Sequence, residues 1–94
     1  MSLGLDAGLR LARTCKALGH PVRVTIVRYL ETQRRGATCG DVVRQLPLAQ
    51  STVSEHLRVL RNAGLLDAEE APPSVIYRVN VAALDAFRRE AAAL

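Results

Sequence analysis

The sequence is short of aromatic residues: two Tyr, one Phe and no Trp in 94 positions. A core must therefore be assembled from Leu, Val, Ile and Ala. Cysteine is as scarce, with only Cys15 and Cys39. That excludes a disulfide-stapled scaffold, and both thiols are expected to be reduced. No apolar run approaches the roughly 18 residues of a membrane span. The opening "MSLGLDAGLR" contains an acid and too short an apolar stretch for a secretion signal. The expected location is the cytoplasm, with no membrane partner. Also missing are a phosphate-cradling glycine loop, a zinc-ligand cluster and a triad of nucleophile, base and acid. An enzyme is therefore not expected, nor is a cofactor or a metal site.

What is present is an aliphatic and arginine-rich chain. Apolar residues make up 49%, and Arg outnumbers Lys twelve to one. The formal net charge is +4. A modest basic excess suits nucleic acid, and an ordinary soluble surface carries it equally well. Residues 1–94 fit one small domain. A chain this short buries proportionally little surface, and a second copy can complete its core.

Leu5, Leu9, Ala12 and Leu18 recur at helical spacing and predict a first helix over about 3–18. "GHPVR" breaks it, and Pro21 suits the first turn of the next helix. Val22, Ile26, Tyr29 and Leu30 give that helix its buried stripe, ending near Gln33 to Gly36. "GATCG" reads as a short extended connector and "DVVRQL" as a brief third helix. "PLA" links it tightly to a fourth helix, about 50–63, stopped by Gly64 as a left-handed cap. The period then changes. "LLDAEEA" and "SVIYRVN" read as two strands joined by "PPS". In the second strand Val75, Tyr77 and Val79 face one way, Ile76 and Arg78 the other. Asn80 caps a last helix carrying Val81, Leu84, Phe87 and Ala91. Four helices, two strands and a closing helix make a mainly α (α+β) chain in the order of a winged helix-turn-helix. In such a unit the second helix of the short pair enters the DNA major groove by its N-terminal end.

The fourth helix has two unlike parts. Val53, Leu57 and Leu60 form an apolar stripe. Gln50, Ser51, Thr52, Ser54, Glu55 and His56 form a polar front that adds little to a core. Gln can pair with adenine in the major groove. Ser and Thr can bond base edges or phosphates, and the Thr methyl can touch that of thymine. Arg58 and Arg61, further along, suit phosphates. Plainer roles compete for some of these residues. Thr52 and Glu55 have the spacing of a capping box, Ser51 can be the N-cap, and His56 can be an ordinary surface histidine.

"CKALGHPVRVTIVRYL" through "YRVN", and above all "LPLAQSTVSEHLRVLRNAGLL", resembles the ArsR/SmtB family of bacterial repressors. The resemblance implies a homodimer joined through its first and last helices, here Leu5, Leu9, Ala12, Leu84 and Phe87. It implies an inverted-repeat operator in double-stranded DNA, released when an effector binds. By position, Gln50, Ser51, Thr52, Ser54 and His56 correspond to the DNA-reading segment. The chain departs from metal-sensing members of that family. Ala37 stands at the first cysteine of their Cys-x-Cys, and only Cys39 matches the second. "IYRVN" has no cysteine, and the last helix has Asp85 and Glu90 but no His. The wing turn "EEAPPS" is acidic, so Arg78 is the best wing candidate for a phosphate.

The effector is not named by the sequence. Cys39, expected just before the third helix, and Cys15 on the first are candidates for thiol or redox sensing. The competing role is that of two small core residues. A winged-helix protein-interaction module, suggested by the acidic wing, is the alternative to a DNA reader.

Overall fold

The computed structural model describes residues 4–94. Its elements are α1 (Leu5–Leu18), α2 (Pro21–Glu31), β1 (Ala37–Thr38), α3 (Cys39–Val43), α4 (Gln50–Asn62), β2 (Leu66–Ala71), β3 (Ser74–Val79) and α5 (Val81–Ala92). The expected first-helix start at residue 3 lies outside the described residues.

Local chemistry explains most boundaries. Pro21 opens α2, and the His20 Nδ1 accepts the Val22 N–H at 3.1 Å as its cap. Asn80 caps α5 by accepting the Ala83 N–H at 3.1 Å. Gly64, at φ +80°, ends α4 in the left-handed region. α2 stops at Glu31, earlier than expected, and Thr32 to Gly36 form turns bonded back to Tyr29, Leu30 and Gln33.

Two expectations change around residue 38. The connector contributes a third strand, because Ala37 and Thr38 pair antiparallel with Tyr77 and Ile76. The sheet order is β1-β3-β2, and β2 runs against β3 from Leu66↔Val79 to Ala71↔Ser74. α3 starts two residues earlier than "DVVRQL" suggested and ends at Val43. Thr38 is its N-cap, in a reciprocal box with Asp41: Thr38 Oγ1 accepts the Asp41 N–H at 3.1 Å, and the Asp41 carboxylate accepts the Thr38 N–H at 3.0 Å.

The core lies where α2, α4 and the sheet meet. Ile26, Leu30, Val42, Val53, Leu57, Leu60 and Leu65 are almost wholly withdrawn from water, with Tyr29, Tyr77, Val79 and Phe87 packed around them. The predicted α4 stripe is thus the buried one. Leu84 requires a correction. The expected place for it is a dimer face, but it is 5% exposed within its own chain. Its side chain already has a core to fill and offers no open surface. Leu5 and Leu9 remain 73% and 53% exposed. Ala12 is exposed, and Phe87 is half-buried against the core.

Gly36 and Gly64 both hold positive φ, at 82° and 80°, but for different reasons. A Cβ at Gly36 would lie 2.5 Å from Ile76 Cγ2 and 2.8 Å from the Tyr77 carbonyl oxygen. Nothing lies within 4 Å of one at Gly64. Gly64→Ala should therefore cost only the left-handed backbone penalty, about 1–2 kcal/mol. Gly36→Ala should add an overpacking cost of about 1–3 kcal/mol. Urea unfolding at matched protein concentration measures both. Equal losses would show that the approach of β3 to Gly36 is not a constraint.

Candidate nucleic-acid interface

α4 presents its polar front because its other side is fully engaged. Val53, Leu57 and Leu60 are each 0% exposed. Their spacing puts Gln50, Ser51, Thr52, Ser54, Arg58 and Arg61 on the outside, and all six are exposed. The start of the helix is bare. Its N-cap is Ala49, which has no side-chain acceptor, and the first helical bond is Val53 N–H to the Ala49 carbonyl at 3.1 Å. The amides of the first turn are therefore left for an outside acceptor such as a phosphate oxygen.

This corrects two readings of the sequence. Ser51 is not the N-cap, and Thr52 with Glu55 makes no capping box. Glu55 instead accepts two bonds from Arg58, at 2.9 Å from Nε and 2.6 Å from Nη2. The hydroxyls of Ser51 and Thr52 are consequently not engaged in capping the helix. Arg58 shares its charge with Glu55, while Arg61 enters no ion pair among the described residues.

His56 is not an ordinary surface histidine. It is half-buried, and its ring lies 4.5 Å from that of His20, tilted by 52°. The pair joins α4 to the capped start of α2. Sequence reasoning missed this contact, since 36 positions separate the two residues along the chain. Burial lowers the His56 pKa from its ordinary 6.5, and the positive charges of His20 and Arg23 lower it further against the opposing pull of Glu55.

The wing is acidic, with Asp67, Glu69 and Glu70 exposed on β2. Arg78, expected to reach phosphate, is instead bound to Glu69 at 2.6 Å. It sits within β3 opposite Asp67 and lines a cleft with Leu30, Arg34 and Asp85. That placement turns it toward α2 and α5 rather than the wing tip. Cys39 is the first residue of α3, not the residue before it, and its Sγ donates to the Gln50 carbonyl at 3.9 Å. Burial raises its pKa, which disfavours the reactive thiolate that thiol sensing would use. Cys15 is an exposed free thiol on α1. Among the described residues no three His, Cys, Asp or Glu side chains converge as metal ligands, and no helix is long and apolar enough to cross a membrane.

The His56 shift has a consequence for stability. Just below pH 6.5 the unfolded chain holds a proton on this ring and the folded chain does not. Unfolding then takes up a proton, so stability falls as the pH drops from 6.5 toward the lowered folded pKa. His56→Gln should lose this part of the acid-side decline, measured by urea unfolding at a series of pH values from 7.5 to about 5. Matching profiles for wild type and variant would refute the assignment.

The comparisons with known proteins agree with this geometry. A family described as a helix-turn-helix domain matches residues 18–69. The transcriptional regulator NmtR of Mycobacterium tuberculosis is 36% identical over 75 residues, covering 80% of this chain and 61% of NmtR. The chain therefore spans about three-fifths of that relative's length. The transcriptional regulator YgaV of Escherichia coli is 31% identical over 76 residues, covering 81% of this chain and 76% of YgaV. In fold, the chain is similar to a homodimeric winged helix-turn-helix DNA-binding domain from Mycobacterium bovis. That likeness has a TM-score of 0.77 at 24% identity and covers 95% of this chain and 82% of the other. A two-helix reading unit, a three-stranded wing and these relatives lead to one assignment: the chain belongs to the ArsR/SmtB family of winged helix-turn-helix transcriptional regulators.

Proposed function

We propose that the chain is a homodimeric, sequence-specific transcriptional repressor of the cytoplasm that reads an inverted-repeat operator with the front of α4. The observation that carries this is the bare, exposed start of a helix whose opposite side is wholly buried. Gln50, Ser51, Thr52 and Ser54 are the base- and phosphate-facing residues. Arg61 is a phosphate contact, and Arg58 becomes one when it leaves Glu55. The named regulators among its relatives support the same reading.

The dimer reading rests on α1. Leu5 and Leu9 stay 73% and 53% exposed with Ala12 beside them, an apolar stripe that water covers poorly. Phe87 on α5 is the adjoining aromatic anchor. The Mycobacterium bovis domain of this fold is described as homodimeric. The proposed unit is one DNA-binding and dimerisation domain over 1–94. Control through a reactive Cys39 has less support, since its thiol is half-buried, bonded to Gln50 and raised in pKa.

Two tests follow. Duplexes selected from a random pool should be palindromic, with half-sites about one helical turn or a multiple apart. Gln50→Ala and Ser54→Ala should change the preferred bases, each weakening binding to the selected site by about 1–3 kcal/mol where the side chain bonds a base edge. Arg61→Ala should weaken binding to all sequences and reduce the salt slope by about one. If the Gln50 and Ser54 variants bind the selected site like wild type, α4 is not the reader. Failure to bind any duplex at low salt would leave a protein-interaction module.

For the dimer, Leu9→Glu should convert a sedimenting dimer to a monomer at micromolar concentration while leaving the helical circular dichroism intact. A wild type already monomeric there would end the dimer reading.

A further inference from the structure

Arg13 and Lys16 on α1, Arg23 on α2 and Arg58 on α4 line one cleft of about 410 Å³. The Asn62 amide is the remaining polar group of its wall, and no carboxylate among the described residues lines it. Glu55 holds Arg58 from outside. Arg13, Lys16 and Arg23 enter no ion pair among the described residues. Three uncompensated cations in one concavity repel one another, and each gains from an anion placed between them.

Arg23 makes the case specific. Its Nε is buried and has no hydrogen-bond partner. A guanidinium N–H removed from water without an acceptor bears its full desolvation cost. An acceptor brought to this side chain relieves it, and a negative one also offsets the guanidinium charge. Guanidinium matches tetrahedral and planar oxyanions through paired N–H bonds. Arg23 also lies close enough to α4 for its charge to lower the proton affinity of His56.

We propose that this cleft binds an oxyanion, specifically a phosphate group. Arg23 is the anchor, Arg13 and Lys16 are flanking cations, and Asn62 is an amide donor. Two sources carry that chemistry: a backbone phosphate of a duplex lying along α4, or the phosphate of a soluble compound. The first source rests on the DNA-reading function proposed above; the second does not.

One signal separates them. In 15N-labelled protein the Arg23 Nε–H resonance is followed as inorganic phosphate is added, with chloride at equal ionic strength as control. The same resonance is then followed as the selected operator duplex is added. A saturable shift with phosphate that chloride does not reproduce assigns the cleft to a soluble phosphate compound. A shift with duplex alone assigns it to the DNA backbone. In either case Arg13→Gln with Lys16→Gln, two exposed positions, should weaken the effect about tenfold or lower the DNA salt slope by one to two. Arg23→Lys, which keeps the charge but removes the Nε–H, should abolish the saturable phosphate response read on neighbouring amides. If neither phosphate nor duplex moves the resonance beyond the chloride control, the proposal is overturned. A chain that binds no duplex still decides the matter through the phosphate arm.

Discussion

Val53, Leu57 and Leu60 are withdrawn completely from water, and the direction of every other residue on α4 follows from that. Burying aliphatic side chains of this size contributes about 1.5–3 kcal/mol each. Rotating α4 about its axis would expose all three and bury Ser54, Glu55 and Arg58 instead, so the helix has one rotational setting. Ile26 and Leu30 from α2, Val42 from α3 and Leu65 and Leu66 at the start of the hairpin belong to the same core. α2, α3, α4 and the hairpin are thus held by one apolar cluster. The polar front faces outward because the stripe behind it does the anchoring.

Charge is arranged on top of that frame. Asp41 ties Arg44, Glu55 ties Arg58, Glu69 ties Arg78, and Glu31 with Asp85 ties Arg88. These pairs are exposed, and exposed pairs contribute little in water. Their effect is mainly to decide which cations are left without a carboxylate partner. On the wing the answer is almost none, since its arginine is already paired among acids. Along α1, α2 and the later part of α4 it is several: Arg13, Lys16, Arg23 and Arg61. The uncompensated positive charge therefore lies along the flank of α4, while its exposed start carries the neutral Gln50, Ser51, Thr52 and Ser54.

The parts that were legible in the sequence are those with a local cause. The α4 stripe shows as a 4-3 spacing, Pro21 announces its helix, and Asn80 and Gly64 mark their caps. β1 has only two residues, too few to show a period, and it exists because β3 offers it a pairing edge. The Thr38–Asp41 box is present in the sequence, but the apolar pattern of the third helix begins later and obscures it. Ser51 resembles a cap because a hydroxyl near a helix start usually is one. Leu48, packed against the core, sets where the chain enters α4, and the N-cap falls on Ala49 instead. Leu84 and Phe87 share a helix face. Their spacing cannot tell burial within a chain from burial between chains. His20 and His56 meet only because α2 and α4 pack together.

Cys39 shows how opposing local effects are settled by position. A residue at the start of a helix feels unpaired N–H groups that favour a thiolate. Here the helix has only five residues, and Thr38 already accepts the Asp41 N–H of its first turn. Desolvation then dominates, and the thiol is raised rather than lowered in pKa. What remains is a weak bond from Sγ to the Gln50 carbonyl. That bond joins the first residue of α3 to the first residue of α4, beside the bare amides of the reading helix. Together with the His20–His56 contact it ties the front of α4 to both preceding helices. Since α4 carries no cap of its own, its front is held from outside, through α2 and α3.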